Sequence, residues 1–136
     1  MTGVDAQTTR RGTVLVVDDE EGVRTAASRL LEHLGFGVCE ARDGIEGLSV
    51  LRASPDPIVA VLLDLTMPRL DGREMLRELR ERSNVPVLLM SGYAEKAVDD
   101  ELLVLADGFV AKPFTIAVLR RALARALRSH RNREAG

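Results

Sequence analysis

The chain of 136 residues has one cysteine, one tyrosine and no tryptophan, and neither sign of charge dominates. The lone Cys39 excludes an internal disulfide and, with no histidine pattern beside it, is expected to be an inert core residue. A formal charge of -2 gives no overall field that would attract nucleic acid or an anionic membrane. The apolar runs are far shorter than the ~20 residues that span a bilayer, and residues 1–12 lack the apolar stretch of a signal peptide. We therefore expect a cytoplasmic protein with no membrane segment and no direct nucleic-acid contact.

Phosphate-binding loops are also missing from the sequence. It contains neither the GxxxxGKS nor the GxGxxG pattern, so no nucleotide cradle is encoded. What the chain does have is 46% hydrophobic residues, enough for one domain with a real core. We expect that domain over residues 13–129, between a disordered leader at 1–12 and a frayed C-terminal tail at 130–136.

Short apolar runs alternate with segments of helical period, which is the pattern of βα units around a parallel sheet. The runs are apolar at consecutive positions, so helices should cover both faces of the sheet. Five units fit an open, doubly wound α/β fold of three layers and are too few for an eight-fold barrel. The expected strands are Thr13–Asp18, Gly37–Ala41, Ile58–Asp64, Val85–Ser91 and Gly108–Ala111.

Five helices should follow the strands. The first is expected to end at Gly35, a good left-handed terminator. Asp71 is a candidate N-cap for the third, with Glu74 placed as in a variant of the capping box. The fourth is expected over about Glu95–Leu105, and the fifth starts near Thr115 and carries a row of arginines.

Polar residues collect at the carboxyl ends of the predicted strands, where open α/β sheets bind ligands. The first strand ends in Asp18, Asp19 and Glu20, and the third ends in Asp64. Each residue alone has an ordinary explanation, such as a helix cap, a turn or a solvated lysine. Their common position at one sheet edge favours a functional site. Ser91 ends the fourth strand and Lys112 follows the fifth, while the second strand ends in no distinctive residue.

The charges of this set define the chemistry that it can perform. Three neighbouring carboxylates repel one another unless a cation lies among them, and Mg²⁺ prefers such oxygen ligands. Two acids can hold the metal while the third acts as a nucleophile towards phosphorus. Asp64 is the better nucleophile because it stands alone on the central strand. Lys112 and Ser91 could meet the phosphoryl oxygens.

Four segments resemble the receiver domain of bacterial two-component response regulators: VLVVDDE, LLDLTMPRLDG, LLMSGY and GFVAKPF. They occur in receiver order and spacing, and the resemblance covers about residues 13–129. It implies a flavodoxin-like five-stranded parallel sheet in the order 2-1-3-4-5 with five helices.

The resemblance also implies a role for each site residue. Asp64 would be the phosphoacceptor, charged from a phosphohistidine of a sensor histidine kinase or a histidine phosphotransfer protein. Ser91 would be the switch hydroxyl, Lys112 the phosphoryl contact and Phe109 the switch aromatic. Pro113 would follow a cis peptide bond. The implied ligands of Mg²⁺, or of Mn²⁺ in its place, are Asp18, Asp19, Asp64 and the backbone carbonyl of Thr66.

The implied output surface comprises the fourth helix, the fifth strand and the fifth helix, on which a downstream protein would dock. We expect a monomer or weak homodimer that catalyses only its own phosphorylation and dephosphorylation. By the same resemblance, Thr66 and Tyr93 would flank the path of the hydrolytic water. Our hypothesis is that the bulky Tyr93 slows dephosphorylation. The chain is either a stand-alone receiver or a domain excised from a larger protein such as a hybrid sensor kinase.

Other classes fit the sequence less well. A magnesium-dependent phosphatase would use a D-x-D strand and a cap domain, but Asp64-Leu65-Thr66 lacks the second acid. A binding-only pseudo-receiver would lack one of the acids or Lys112. A phosphotransfer protein with its own phosphohistidine would be an all-helical bundle.

Overall fold

Strands and helices alternate along residues 11–65, 67, 71–92 and 100–135, the part of the chain that this computed structural model describes. The five strands are β1 (Thr13–Val17), β2 (Gly37–Ala41), β3 (Ile58–Asp64), β4 (Val87–Ser91) and β5 (Gly108–Ala111). The helices are α1 (Glu21–His33), α2 (Gly44–Ala53), α3 (Gly72–Arg80), α4 (Asp100–Leu105) and α5 (Ile116–Ala135).

All strand pairs are parallel, and the sheet has the order β2-β1-β3-β4-β5, which confirms the predicted fold class. The register places Asp64 beside Met90 and Ser91 beside Ala111. The carboxyl ends of the central strands therefore lie at one level. Polar residues that follow these ends share a single edge of the sheet.

Both faces of the sheet are covered, as the consecutive apolar positions predict. Alternate residues of each strand point to opposite faces, so neighbouring strand residues belong to different clusters. One cluster joins Leu15, Val61 and Leu89 to α2, α3 and α4 through Leu48, Met75, Leu76 and Leu102. The other joins Val16, Leu62 and Met90 to α1 and α5 through Ala27, Leu31, Leu119 and Leu123. The result is a three-layer sandwich.

Local signals set several helix ends. Gly35 follows α1 with φ of +98°, a backbone conformation that favours glycine. The side chain of Asp71 accepts a hydrogen bond of 3.0 Å from the amide of Glu74, so the predicted cap of α3 is confirmed. The N-cap of α3 is therefore Asp71.

The structure corrects some predicted boundaries. Strand β4 begins at Val87 rather than Val85 because Pro86 has no amide hydrogen to join the ladder. Most of the predicted leader, residues 1–10, lies outside the described residues. At its end, the amide of Arg11 donates to the carbonyl of Gly35, and the Arg11 guanidinium lies 5.1 Å from the ring centroid of Phe36. Helix α5 includes residues 130–135 of the expected tail, whose arginine, glutamate and alanine residues favour helices.

Within the described residues, helix α4 covers Asp100–Leu105 and ends where predicted, and its expected first part from Glu95 lies outside them. Among the helices that the structure describes, none combines the length and apolar character that crossing a bilayer requires.

Candidate functional site

Backbone hydrogen bonds bring the predicted site residues to one edge of the sheet. The amide of Asp18 donates to the carbonyl of Ala41 at 3.1 Å, just beyond the end of β1. The amide of Lys112 donates to the carbonyl of Ser91 at 2.8 Å, just beyond the end of β5. These bonds extend the sheet by one residue. The side chains that follow the strands therefore converge above β1, β3 and β4.

The ammonium group of Lys112 lies between two buried carboxylates. Its Nζ is 2.9 Å from Oδ2 of Asp18 and 3.3 Å from Oδ1 of Asp64, and Oε1 of Glu20 lies farther away at 3.9 Å. Asp18 is 0% exposed and Asp64 is 3% exposed, so both acids have left bulk water. Buried charges are tolerated when they are paired in this way.

The neighbouring carboxylates stabilise the positive charge of the Lys112 ammonium group. Burial by itself would lower the pKa of Lys112, but the hydrogen bond to Asp18 and the charge of Asp64 outweigh burial and raise it. Asp18 also accepts a hydrogen bond of 2.9 Å from the amide of Glu20, at its other oxygen. Lys112 is therefore a fixed cation at the base of the site.

Asp18, Asp19 and Asp64 form an acidic cluster whose ligand oxygens all lie within 4.8 Å of one another. In an octahedral Mg²⁺ shell with ligands at about 2.1 Å, adjacent ligands lie roughly 3 Å apart and opposite ligands roughly 4 Å apart, so these oxygens would move closer together to share an ion. Asp19 is exposed and opens the cluster to solvent, while Asp18 and Asp64 are buried. The donor set and its spacing fit a hard divalent cation.

Three of the remaining predicted residues, Ser91, Phe109 and Pro113, lie at the end of β4, on β5 and just after β5. Ser91 ends β4 and is 2% exposed. Phe109 is paired with Leu89 in the ladder and packs partly buried against the cluster of α2, α3 and α4. Ser91 and Phe109 share a sheet face because Ser91 lies two positions after Leu89, which is the ladder partner of Phe109. The Lys112–Pro113 bond is cis, as the resemblance implies. Thr66 lies outside the described residues.

Three residues for which the sequence predicted no role in the site contact it. Glu20, which follows the first strand beside Asp19, has Oε1 3.9 Å from Nζ of Lys112. Arg24 donates to the backbone carbonyl of Asp18 at 2.8 Å. Gly72 packs against the backbone of Asp64. Contacts to backbone atoms leave no signal in side-chain periodicity, although the Asp-Gly pair at 71 and 72 marks a tight turn.

Cys39 is only half-buried on β2 rather than in the core. Burial raises the pKa of its thiol, and the charges of Asp56 and Glu40 raise it further. A raised pKa leaves little thiolate, which agrees with an unreactive cysteine.

Residues 14–124 match the family of response regulator receiver domains. This match covers most of the sequence, and the chain belongs to the response regulator receiver domain family. Its members act in phosphoacceptor signalling with kinases or phosphotransfer partners, and they generally bind Mg²⁺ at an acidic pocket.

Individual relatives agree with this membership. The chain is 38% identical over 109 residues to the sensor kinase CckA of Brucella abortus, covering 79% of this chain and 12% of that protein. It is 41% identical over 109 residues to the transcriptional regulatory protein CseB of Streptomyces avermitilis, covering 78% of this chain and 45% of that protein. The chain thus spans less than half the length of these curated relatives.

Solved structures agree as well. A response regulator receiver domain protein from Clostridium thermocellum superposes with a TM-score of 0.75 at 28% identity, covering 88% of this chain and 96% of that one. The chemotaxis protein CheY4 of Vibrio cholerae gives a TM-score of 0.73 at 28% identity, covering 85% of this chain and 98% of that one.

Proposed function

We propose that Asp64 accepts a phosphoryl group from a phosphohistidine of a sensor histidine kinase or a histidine phosphotransfer protein, in a Mg²⁺-dependent reaction. The observation that carries this proposal is the Lys112 ammonium held between buried Asp18 and buried Asp64 at the open edge of the sheet. An isolated acid at that place would be a cap, but Asp71 caps the following helix.

The reaction asks little covalent chemistry of the protein. A carboxylate oxygen of Asp64 forms a bond to phosphorus while the bond from phosphorus to the imidazole nitrogen breaks, and the electron pair remains on that nitrogen. Lys112 would neutralise one phosphoryl oxygen, and the hydroxyl of Ser91 would donate to another. Asp18, Asp19, Asp64 and the Thr66 carbonyl would hold Mg²⁺, which supplies further positive charge to the phosphoryl oxygens when bound.

We propose further that phosphorylation changes the surface formed by α4, β5 and α5. The phosphoryl group adds nearly two negative charges and three acceptor oxygens, which can draw Ser91 inward. An inward Ser91 would free space that Phe109 can fill by packing, because phenylalanine has no hydroxyl to bond. The change at Asp64 would thereby reach β5 and its neighbouring helices.

Exposed apolar side chains support a docking role for this surface. Among the residues that the structure describes, the exposed large apolar side chains are Ile45, Val104 and Val118. Val104 lies on α4 and is 82% exposed, and Val118 lies on α5 and is 38% exposed. We propose that a downstream protein covers Val104 and Val118.

Intact mass spectrometry after incubation with acetyl phosphate tests the phosphoacceptor proposal. We expect one phosphoryl adduct on the wild type with Mg²⁺ and none with chelator. Asp64→Asn should give no adduct, because an amide oxygen is a poor nucleophile. Asp56→Asn, which changes an exposed aspartate, is the matched control and should be labelled like the wild type.

The other outcomes have definite meanings. Continuous release of phosphate without an accumulating adduct would favour a phosphatase. A wild type without any adduct would favour a binding-only domain. A labelled Asp64→Asn variant would overturn the assignment of Asp64.

A further inference from the structure

Arg24 of α1 links the acidic site to the edge of the sheet. Its side chain is only 12% exposed, so most of it is shielded from solvent. One terminal nitrogen donates to the backbone carbonyl of Asp18 at 2.8 Å. The Nε of the same group donates to Oε1 of Glu40 at 3.2 Å. A single planar group thus connects the end of β1 to a side chain on β2.

Glu40 is itself held in place. Its second oxygen accepts a hydrogen bond of 3.1 Å from the hydroxyl of Ser28, one turn after Arg24 on α1. Glu40 is paired with Val16 on β1, two residues before Asp18. The network therefore has an anchor on the edge strand and an anchor on the helix. Both anchors fix the direction of the Arg24 guanidinium.

We infer that Arg24 is a positioning residue for the metal-binding acids, with Glu40 as its support; this inference rests on the proposed function. The chain leaves the sheet at Asp18 and must present two successive carboxylates to one ion. Clamping the Asp18 carbonyl fixes the rotation of the peptide between Asp18 and Asp19. The geometry of both carboxylates follows from that peptide. Outer partners of this kind typically change metal affinity ~10–100-fold when removed.

The planar fork of arginine suits this task better than lysine does. Arginine can donate in two directions at fixed angles, towards Glu40 and towards the carbonyl of Asp18. A lysine ammonium could keep one of these bonds and would not hold the two partners at a fixed angle. Arg24→Lys should therefore retain only part of the effect.

Calorimetric titration of Mg²⁺ into the unphosphorylated protein tests the inference without any reaction. We expect Arg24→Met to raise the dissociation constant about 10-fold, with Arg24→Lys between that variant and the wild type. Glu40→Gln should raise the constant less, because it weakens the support and leaves Arg24 in place. Arg29→Met is the matched control on α1, since Arg29 is exposed, and its constant should stay within about twofold of the wild type.

Amide hydrogen exchange in metal-free protein supplies a second measurement. The Glu20 amide donates to the Asp18 carboxylate, so it should exchange faster in Arg24→Met and not in Arg29→Met. If Arg24→Met fails to fold, the Mg²⁺ dissociation constant and the Glu20 amide exchange are measured on Glu40→Gln instead.

Equal Mg²⁺ affinity in the Arg24 and Glu40 variants and the Arg29 control, with unchanged Glu20 exchange, would overturn the inference and leave the proposed function intact. A wild type that binds no Mg²⁺ and forms no adduct would remove the proposed function, and this inference with it.

Discussion

Gly72 packs against the carbonyl oxygen of Asp64 so closely that a Cβ atom on residue 72 would overlap that oxygen. The same Cβ would lie 2.8 Å from the α-carbon of Leu65. The amide of Gly72 also donates to the carbonyl of Leu65 at 3.3 Å. The start of α3 therefore rests directly on the backbone that carries Asp64.

Gly72→Ala should move the Asp64 backbone, because neither contact atom belongs to a flexible side chain. We expect a loss of about 1–3 kcal/mol in the free energy of unfolding and slower labelling by acetyl phosphate. Urea unfolding and the initial rate of adduct formation measure the two effects.

Gly22→Ala is the control for this variant, since a Cβ at residue 22 in α1 would meet nothing within 4 Å. It should be neutral or more stable by up to about 1 kcal/mol, because alanine favours helix. Equal behaviour of the two variants would show that the close approach at Gly72 has no consequence.

Arg80 and Asp107 form an ion pair at the amino ends of β4 and β5, away from the acidic site. The side chain of Asp107 is 1% exposed and accepts from Arg80 at 2.9 Å and from the amide of Val87 at 2.8 Å. Arg80 also donates to the carbonyls of Leu105 and Val85 at 2.7 and 2.8 Å. It thus ties α3 to the end of α4 and the start of β4.

Arg80→Met should cost about 3–5 kcal/mol in the free energy of unfolding, because it removes the guanidinium that pairs with the buried carboxylate of Asp107. Urea unfolding followed by circular dichroism measures this loss. Arg82→Met, at an exposed arginine nearby, should change stability by less than about 0.5 kcal/mol. A similarly small change for Arg80→Met would contradict the stabilising role of the Arg80–Asp107 ion pair.

Glu101 joins α4 to α3 on the protein surface. Hydrogen bonds from Arg77 and then Arg73 lower its pKa below the ordinary value. Its contribution to stability should therefore be complete above about pH 4.3 and disappear as the pH falls through the lowered value. The stability difference between wild type and Glu101→Gln should follow that course and shrink in high salt. A difference that grows on acidification would contradict this assignment.

Ser91→Ala should separate phosphorylation from the surface change. We expect the adduct to form, because Lys112 and the acids remain, but the hydrogen exchange of α4 and β5 should no longer respond to phosphorylation. Exchange measured by mass spectrometry with and without acetyl phosphate tests this, and Ser49→Ala, at an exposed serine of α2, is the control. A full response in Ser91→Ala would exclude the hydroxyl as the switch.

The sequence predicts the sheet and its edge well because both depend on simple patterns. The limits of β3 at Ile58 and Asp64 agree with the structure, since a run of apolar residues ends there in an acid. The meeting of Asp18, Asp64 and Lys112 follows from the rule that parallel strands present their carboxyl ends together. No distance needs to be known for that prediction.

Contacts to the backbone are what the sequence could not predict. Arg24 reads as an ordinary polar helix residue until its distance to the Asp18 carbonyl is known. Arg80 likewise reads as a solvated arginine near the end of α3. In the structure it donates hydrogen bonds to four residues: Ser83, Val85, Leu105 and Asp107. Such roles depend on the tertiary path of the chain rather than on periodicity.

The most direct test of the account is to locate the phosphoryl group on the chain. Borohydride converts an aspartyl phosphate to homoserine, and tandem mass spectrometry of the digested protein then identifies the modified position. We predict homoserine at position 64 after incubation with acetyl phosphate and Mg²⁺, and none in chelator. Modification at Asp18 or Asp19 instead of Asp64, or a phosphoryl group on histidine, would contradict the account.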